Sequence, residues 1–285
     1  MPMGARHDLV EAKVLTGLVL SELTSGMVSV AVPLLVYGST GSLTRAALVS
    51  LVGLVPTLVF GALGAPQVDR MDRRRFIVAA NLARSALLVG AAMAWTYAGT
   101  AGVMAMAFVS SSLAAFEKPA LRASLPDLFG DRYQEFVGRR AGLSFAVQMV
   151  APLAGGALVG LVGGVWTLAW CATGYVAYAL VAWLLPPLNT AEARAGAAGT
   201  SSWRALREAV AHVVRRPAVR TLFVYWLVSF IGVPLGTMTA VPYITTSLGH
   251  GSLAYGIASA CYGPRQWCPP SSRARCASPA GSAGG

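Results

Sequence analysis

The sequence predicts an all-α membrane protein, and three observations lead to that prediction. The 285 residues are 55% hydrophobic and only 12% charged, about half the charged fraction of an average soluble domain. Seven apolar stretches each approach the roughly 20 residues that a helix needs to cross a bilayer. Basic residues are concentrated in every second link between these stretches. The predicted spans are 14–37, 43–64, 76–97, 101–120, 141–162, 165–186 and 219–242.

The alternation of basic links predicts how the chain is threaded through the membrane. Arg and Lys occur in the N-terminus and in the links 64–75, 118–140 and 187–220. The links 38–42, 98–100 and 163–164 contain neither residue. Basic links stay on the cytoplasmic side, so we expect a multi-pass protein of a bacterial-type plasma membrane with a cytoplasmic N-terminus. The net charge of +11 follows from these links, and no nucleic-acid partner is expected.

Composition divides the chain into four predicted parts. Residues 1–186 form a six-helix transmembrane bundle, and 187–218 form a linker on the cytoplasmic side. The linker contains an amphipathic segment, 201–216, which either lies on the membrane surface or forms a solvated connector helix. Residues 219–263 contain the seventh helix, and 264–285 form a disordered tail.

The tail does not continue the pattern of apolar spans. It holds four prolines and three arginines and no apolar run, a composition typical of disorder. A frameshift near codon 264 explains this change, and a natural truncated product is the alternative. Three of the four cysteines lie within 261–276, at Cys261, Cys268 and Cys276, but their spacing matches no common zinc site, so we expect no metal and no cofactor.

The link after the second span carries the most specific motif, GAPQVDRMDRRR (64–75). It resembles the signature between helices 2 and 3 of the major facilitator superfamily, roughly G-x-x-x-D-R-x-G-R-R. Asp69 and Arg70 match its D-R, and Arg73 and Arg74 match its paired basic residues. In the family these residues form a cytoplasmic latch, so the resemblance implies a gating role for them. It also implies that Asp69 caps a neighbouring helix start.

Three further segments resemble the same family, and together the resemblance covers about 1–263. SVAVPLLVYGSTGS (29–42) is similar to the end of helix 1, and FEKPALRASLPDLF (116–129) is similar to the helix 4–5 link. APLAGG (151–156) is similar to the antiporter signature of helix 5, with Ala151 in place of the first glycine. Asp72 replaces the second glycine of the helix 2–3 signature, as in exporters of the macrolide and siderophore branch.

This resemblance implies the family's N-terminal six-helix bundle plus helix 7, with an incomplete C-terminal half. It implies a secondary active, proton-coupled exporter of small amphipathic compounds of the drug or siderophore type. The expected partners are a small-molecule substrate, protons and the lipid bilayer, and the oligomeric state stays open. The alternative is a truncated remnant that inserts without transporting, or a membrane interaction protein.

Ionisable residues inside predicted spans are costly and indicate function. Glu22 in the first span and Arg84 in the third lie at similar depth, so a Glu22–Arg84 pair across a polar cavity is predicted. Protonation of Glu22 would break that pair and couple proton movement to substrate; a static structural pair is the alternative. Asn81, Gln148 and Tyr225 stand on helical faces that point to the same cavity or to helix packing.

No enzyme is expected, because the sequence lacks a catalytic constellation. The three histidines are scattered, and there is no G-x-S-x-G, H-E-x-x-H or Walker motif. Glycines recur every four residues at Gly156, Gly160 and Gly164. Such a stripe lets helix backbones approach closely, either as a sliding surface or as a simple tight contact.

Overall fold

The fold is a bundle of helices in a computed structural model. The structure describes residues 3–68, 71–188, 207, 211–225, 228–229, 232, 243–244 and 252–262. Regular structure within these ranges is helical throughout, as the sequence predicts. The elements are α1 (Met3–Thr40), α2 (Leu43–Val68), α3 (Arg73–Phe129), α4 (Tyr133–Val162), α5 (Gly164–Trp183) and α6 (Ser252–Tyr262), with a 3₁₀ turn at Gly130–Arg132.

Glycines with positive φ make the three short turns of the bundle. Gly41 separates α1 from α2 at φ 61°, and Gly163 separates α4 from α5 at φ 84°. Gly99, at φ 51° and ψ −141°, breaks α3 into two helices. Only glycine adopts such φ values without steric cost. The two halves of α3 therefore correspond to the third and fourth predicted spans, and six helices stand where six spans were expected.

Four helices within the described residues are long and apolar enough to cross a membrane: Asp8–Thr40, Arg73–Trp95, Gly99–Val162 and Gly164–Trp183. The third of these contains two predicted spans. α2 contributes a shorter apolar stretch, Leu43–Thr57. The predicted seventh span, 219–242, lies largely outside the described residues, although 217–225 is helical. The division of the chain into four parts also stays a prediction, because most of 187–218 lies outside them.

Asp72 determines where α3 begins. Its backbone is extended, with φ −70° and ψ 102°, and its Oδ1 accepts a hydrogen bond from the Arg75 backbone N–H at 3.2 Å. A side-chain acceptor at this position satisfies one of the free N–H groups of the first helical turn. Asp72, which stands where the signature that the motif resembles has a glycine, thus gives α3 an N-cap.

Apolar side chains form two layers between the helices. One layer lies towards the turns at Gly41 and Gly99 and includes Leu88, Val103 and Leu168. The other lies at the opposite end, which we call the basic end because it holds the start of α1, the α2–α3 link and the α3–α4 link. There Phe129 stacks on Phe136 with ring centroids 4.1 Å apart. These layers hold α1, α3 and α5 together.

The second half of helix α4 approaches α1 and α6 closely through its backbone. A Cβ at Gly155 would lie 2.9 Å from the backbone of Met27 in α1. A Cβ at Gly156 would lie 2.6 Å from the carbonyl oxygen of Ser252 in α6. A Cβ at Gly160 would lie 2.9 Å from Ser252 Oγ, so two glycines of the predicted stripe, Gly156 and Gly160, approach α6 closely. The third, Gly164, begins α5.

Large apolar side chains cover the outside of the bundle. Trp166, Trp170 and Trp183 are each more than half exposed, and Tyr97 is 94% exposed. A soluble protein rarely exposes so much apolar surface. The lipid bilayer is the solvent that suits it, and exposed tryptophans are typical of the membrane interface.

Candidate functional site

A cavity of about 530 Å³ lies within the bundle. Its walls come from α1, α2, both halves of α3, α4 and α5, and Tyr255 and Ser259 of α6 close one side. Much of the lining is apolar, including Val32, Leu54 and Met106. The polar lining residues are Glu22, Ser25, Ser29, Ser50, Thr57, Arg84, Ser110, Ser111, Lys118, Gln148, Tyr175, Tyr255 and Ser259. The cavity is therefore amphipathic, with three charged side chains on its wall.

Arg84 is the centre of a buried polar network. Its Nη1 donates to Glu117 Oε2 at 3.2 Å, and the two side chains are only 6% and 5% exposed. Its Nη2 donates to Tyr175 Oη at 2.6 Å and to Ser25 Oγ at 3.2 Å. Its Nε donates to Ser110 Oγ at 3.3 Å. One guanidinium thus connects α1, both halves of α3 and α5.

The aromatic ring of Tyr175 adds a second contact to this network. The Arg84 guanidinium carbon lies 4.1 Å from the Tyr175 ring centroid, within the range of a cation–π interaction. The Tyr175 hydroxyl also lies 3.1 Å from Ser25 Oγ. Ser85, the neighbour of Arg84, donates to the Ala172 carbonyl oxygen at 2.9 Å. The third and sixth predicted spans are therefore joined by several polar contacts in a low-dielectric interior.

Glu22 is placed differently from the prediction. It lines the same cavity as Arg84, but Arg84 pairs with Glu117, and the predicted Glu22–Arg84 pair does not form. Glu22 Oε1 instead accepts a hydrogen bond from Ser144 Oγ of α4 at 3.0 Å. Counting depth along the helices correctly placed Glu22 and Arg84 on one cavity. The packing of the helices, however, brings Glu117 into contact with Arg84.

Lys118 is the third charge on the cavity wall. It directly follows Glu117 on α3, so its side chain leaves the helix in another direction. Its side chain is exposed. Within the described residues, Lys118 forms neither a hydrogen bond nor an ion pair. It is therefore a cation on the cavity wall without the compensation that Arg84 has.

The described part of the charged motif lies at the basic end. Arg73 Nη1 donates to Ser124 Oγ at 3.2 Å, and the Arg74 guanidinium lies 5.1 Å from the Trp183 ring centroid. Both side chains thus lie against the ends of neighbouring helices. Asp69 and Arg70 lie outside the described residues. The role predicted for Asp69 as the cap of a neighbouring helix therefore stays a prediction, and the N-cap of α3 is Asp72.

The comparison with protein families decides which family the chain represents. A model of the Major Facilitator Superfamily matches residues 14–264. The chain belongs to the Major Facilitator Superfamily. The resemblance predicted from the motif 64–75 is confirmed, and with it the all-α membrane fold.

Two curated proteins are similar to part of this chain. The chain is 31% identical over 160 residues to macrolide efflux protein A of Streptococcus pyogenes. It is equally similar to the protein of the same name from a serotype M6 strain of that species. The matched region covers 53% of this chain and 37% of each relative. Less than half of each relative's length is therefore represented here.

The structure also describes the three other predicted cavity residues, Gln148, Asn81 and Tyr225. Gln148 of α4 lines the cavity. Asn81 is completely buried, and its Nδ2 donates to the Ile77 carbonyl oxygen at 2.8 Å within the same helix. Tyr225 is 66% exposed and is not part of the cavity wall. The structure thus brings Glu22, Arg84 and Gln148 together but not Asn81 or Tyr225.

Sequence reasoning missed Glu117, Lys118 and Tyr175. Glu117 lies within the predicted span 101–120, so the cost of a charge in a membrane was a sufficient signal to select it. Lys118 belongs to the predicted basic link 118–140, which concealed its place on the cavity wall. Tyr175 lies in an apolar run, where an aromatic residue resembles ordinary core. Nothing in its local sequence indicates that its hydroxyl contacts Arg84.

A network of ion pairs holds the start of α1 against α4 at the basic end. Arg139 Nη1 donates to Glu11 Oε1 at 2.8 Å, and Arg139 Nη2 contacts Glu135 Oε1 at 2.5 Å. Arg132 Nη1 lies 3.1 Å from Asp8 Oδ1. Within the described residues, no group of three His, Cys, Asp or Glu side chains is arranged to hold a metal ion.

Proposed function

We propose that this chain forms the N-terminal bundle of a secondary active exporter. The exporter moves small amphipathic compounds of the drug or siderophore type out of the cell, in exchange for protons. The observation that carries this proposal is the cavity of about 530 Å³, which combines apolar walls with charged side chains between membrane-crossing helices. The names of the two S. pyogenes relatives, macrolide efflux protein A, support export as the direction.

Glu22 is the proposed coupling residue. It lies on the cavity wall, and its hydrogen-bond partner is the neutral hydroxyl of Ser144. Protonation of Glu22 therefore changes the net charge of the cavity by one unit without breaking a buried ion pair. Arg84 takes a different role, because Glu117 already neutralises it. We propose that Arg84 keeps the cavity wall in shape.

The charged motif is the proposed gate. Transporters of this kind alternate between two bundles that rock about a central site. Arg73 and Arg74 stand at the basic end, which we propose to be cytoplasmic because basic links stay on that side. In this role Asp69 and Arg70 complete the latch that closes the cytoplasmic side. Its release opens the cavity inward.

Inside-out membrane vesicles that contain this chain test the proposal. A proton gradient, acidic inside, should drive accumulation of a radiolabelled macrolide, and a protonophore should abolish it. Glu22→Gln should lose gradient-driven accumulation but keep exchange of labelled for unlabelled compound, because only coupling is removed. Asp69→Asn should lose both gradient-driven accumulation and exchange. Asp127→Asn is the matched control, because Asp127 is an exposed acid away from the cavity.

One result would overturn the exporter proposal for this polypeptide. If the chain inserts stably but the vesicles neither accumulate nor exchange the macrolide or a siderophore, the exporter proposal is wrong for this chain. The alternative, a membrane protein that interacts without transporting, would then account for the chain.

A further inference from the structure

The charges on the cavity wall do not balance one another by direct contact. Arg84 is neutralised by Glu117 at 3.2 Å, with both side chains almost fully buried. Glu22 and Lys118 remain. Both line the cavity, and within the described residues they do not form an ion pair with each other, since the Glu22 carboxylate accepts from Ser144. The cavity thus presents one separate acid and one separate base.

Lys118 lets a substrate that carries only positive charge bind more weakly than a substrate that also carries a negative charge. A cationic compound would place a second positive charge in the same low-dielectric space, where like charges repel strongly. Anions have the opposite difficulty, because the Glu22 carboxylate faces the same space. A compound that carries both charges can pair with Lys118 through its negative group and with Glu22 through its positive group at the same time.

We propose that the cavity binds an amphipathic zwitterion. The substrate's carboxylate meets the Lys118 ammonium, its amine meets the Glu22 carboxylate, and its apolar body lies against Val32, Leu54 and Met106. Ser110 and Ser111, about two turns before Lys118 on the same helix, supply further hydrogen-bond partners on that wall. This inference rests on the proposed function, because it names the chemical class of compound that the same cavity takes.

Three related probes separate the two charges. Nε-dansyl-lysine carries a free amine and a free carboxylate on an apolar fluorescent body. Its methyl ester retains only the amine charge, and its Nα-acetyl derivative retains only the carboxylate. Each probe is titrated against the purified chain in lipid nanodiscs, and the rise in dansyl fluorescence gives the dissociation constant.

Substitutions at Lys118 and at Glu22 should change the binding of different probes. The zwitterion binds more tightly than either derivative. Lys118→Gln weakens binding of the zwitterion and of the acetyl derivative by about tenfold or more, the value of one charge-assisted hydrogen bond, and tightens binding of the methyl ester, because the like charge that repels its amine is gone. Glu22→Gln weakens the zwitterion and the ester but not the acetyl derivative. Lys118→Arg, which keeps the charge, restores most of the zwitterion affinity.

Two outcomes contradict the inference in distinguishable ways. If the methyl ester binds the wild-type chain as tightly as the free zwitterion, or if Lys118→Gln changes all three probes equally, the zwitterion assignment is wrong while the cavity still binds amphipaths. If none of the three probes binds the folded wild-type chain, the proposed function of the cavity fails as well. Circular dichroism of each variant establishes that the helices are intact.

Discussion

Removing the acid beside Arg84 should destabilise the bundle more than any exposed charge change. In Glu117→Met the Arg84 guanidinium stays buried, with its side chain 6% exposed, but has no counter-charge. Breaking a buried pair in this way costs about 3–5 kcal/mol of unfolding free energy. Arg84→Met should cost less, because the remaining Glu117 carboxyl can take up a proton, whereas a guanidinium cannot lose one.

The double variant measures the pair itself. Replacing both residues by methionine removes both buried charges, so the loss should be about 2–3 kcal/mol smaller than the sum of the two single losses. Tyr175→Phe, which leaves one Arg84 N–H without its 2.6 Å acceptor, should cost about 1–3 kcal/mol. Arg75→Gln serves as the control, because that side chain is 83% exposed.

Reversible unfolding by SDS in mixed micelles, followed by the helical circular dichroism signal, gives these free energies. The labelling rate of Cys171, which is only 3% exposed, reports opening of the same region when Cys261, Cys268 and Cys276 are replaced by serine. If the two methionine substitutions add within about 0.5 kcal/mol, Arg84 and Glu117 are energetically independent, and the account of the network is wrong.

The same titration tests three other contacts. Gly155→Val should destabilise by about 1–3 kcal/mol through overpacking, because its Cβ would lie 2.9 Å from the α1 backbone, whereas Gly142→Val, with nothing within 4 Å, should be close to neutral; equal losses would contradict the close approach. Glu11→Gln should cost about 1 kcal/mol or less, and high salt should reduce the difference, because its arginine partners are about half exposed. Trp183→Leu should cost about 0.5–1 kcal/mol through loss of the cation–π contact with Arg74, and it should have no effect in an Arg74→Gln background.

The helices could be predicted from the sequence because their causes are local. Apolar length determines each span, and the glycines at 41, 99 and 163 make turns that other residues avoid. The depth of Arg84 could also be predicted by counting from the basic link. Its partner could not be, because the choice between Glu22 and Glu117 depends on which helices lie side by side and how they are rotated. That information is in the packing of Tyr175, Gly155 and their neighbours, and no short segment contains it.

The Arg84 network also sets an order of events during synthesis of the chain. Arg84 enters the membrane as a charged residue before its partners exist, because Glu117 follows 33 residues later and Tyr175 follows 91 residues later. At about 5–20 residues per second, the ribosome makes Tyr175 about 5–20 s after Arg84. For that interval the Arg84 guanidinium lacks the full set of partners that it has in the folded bundle, and the third span must remain near the translocon or near water. Completion of α5, which is the sixth predicted span, releases the third span into lipid, so the bundle closes only when α5 has been made.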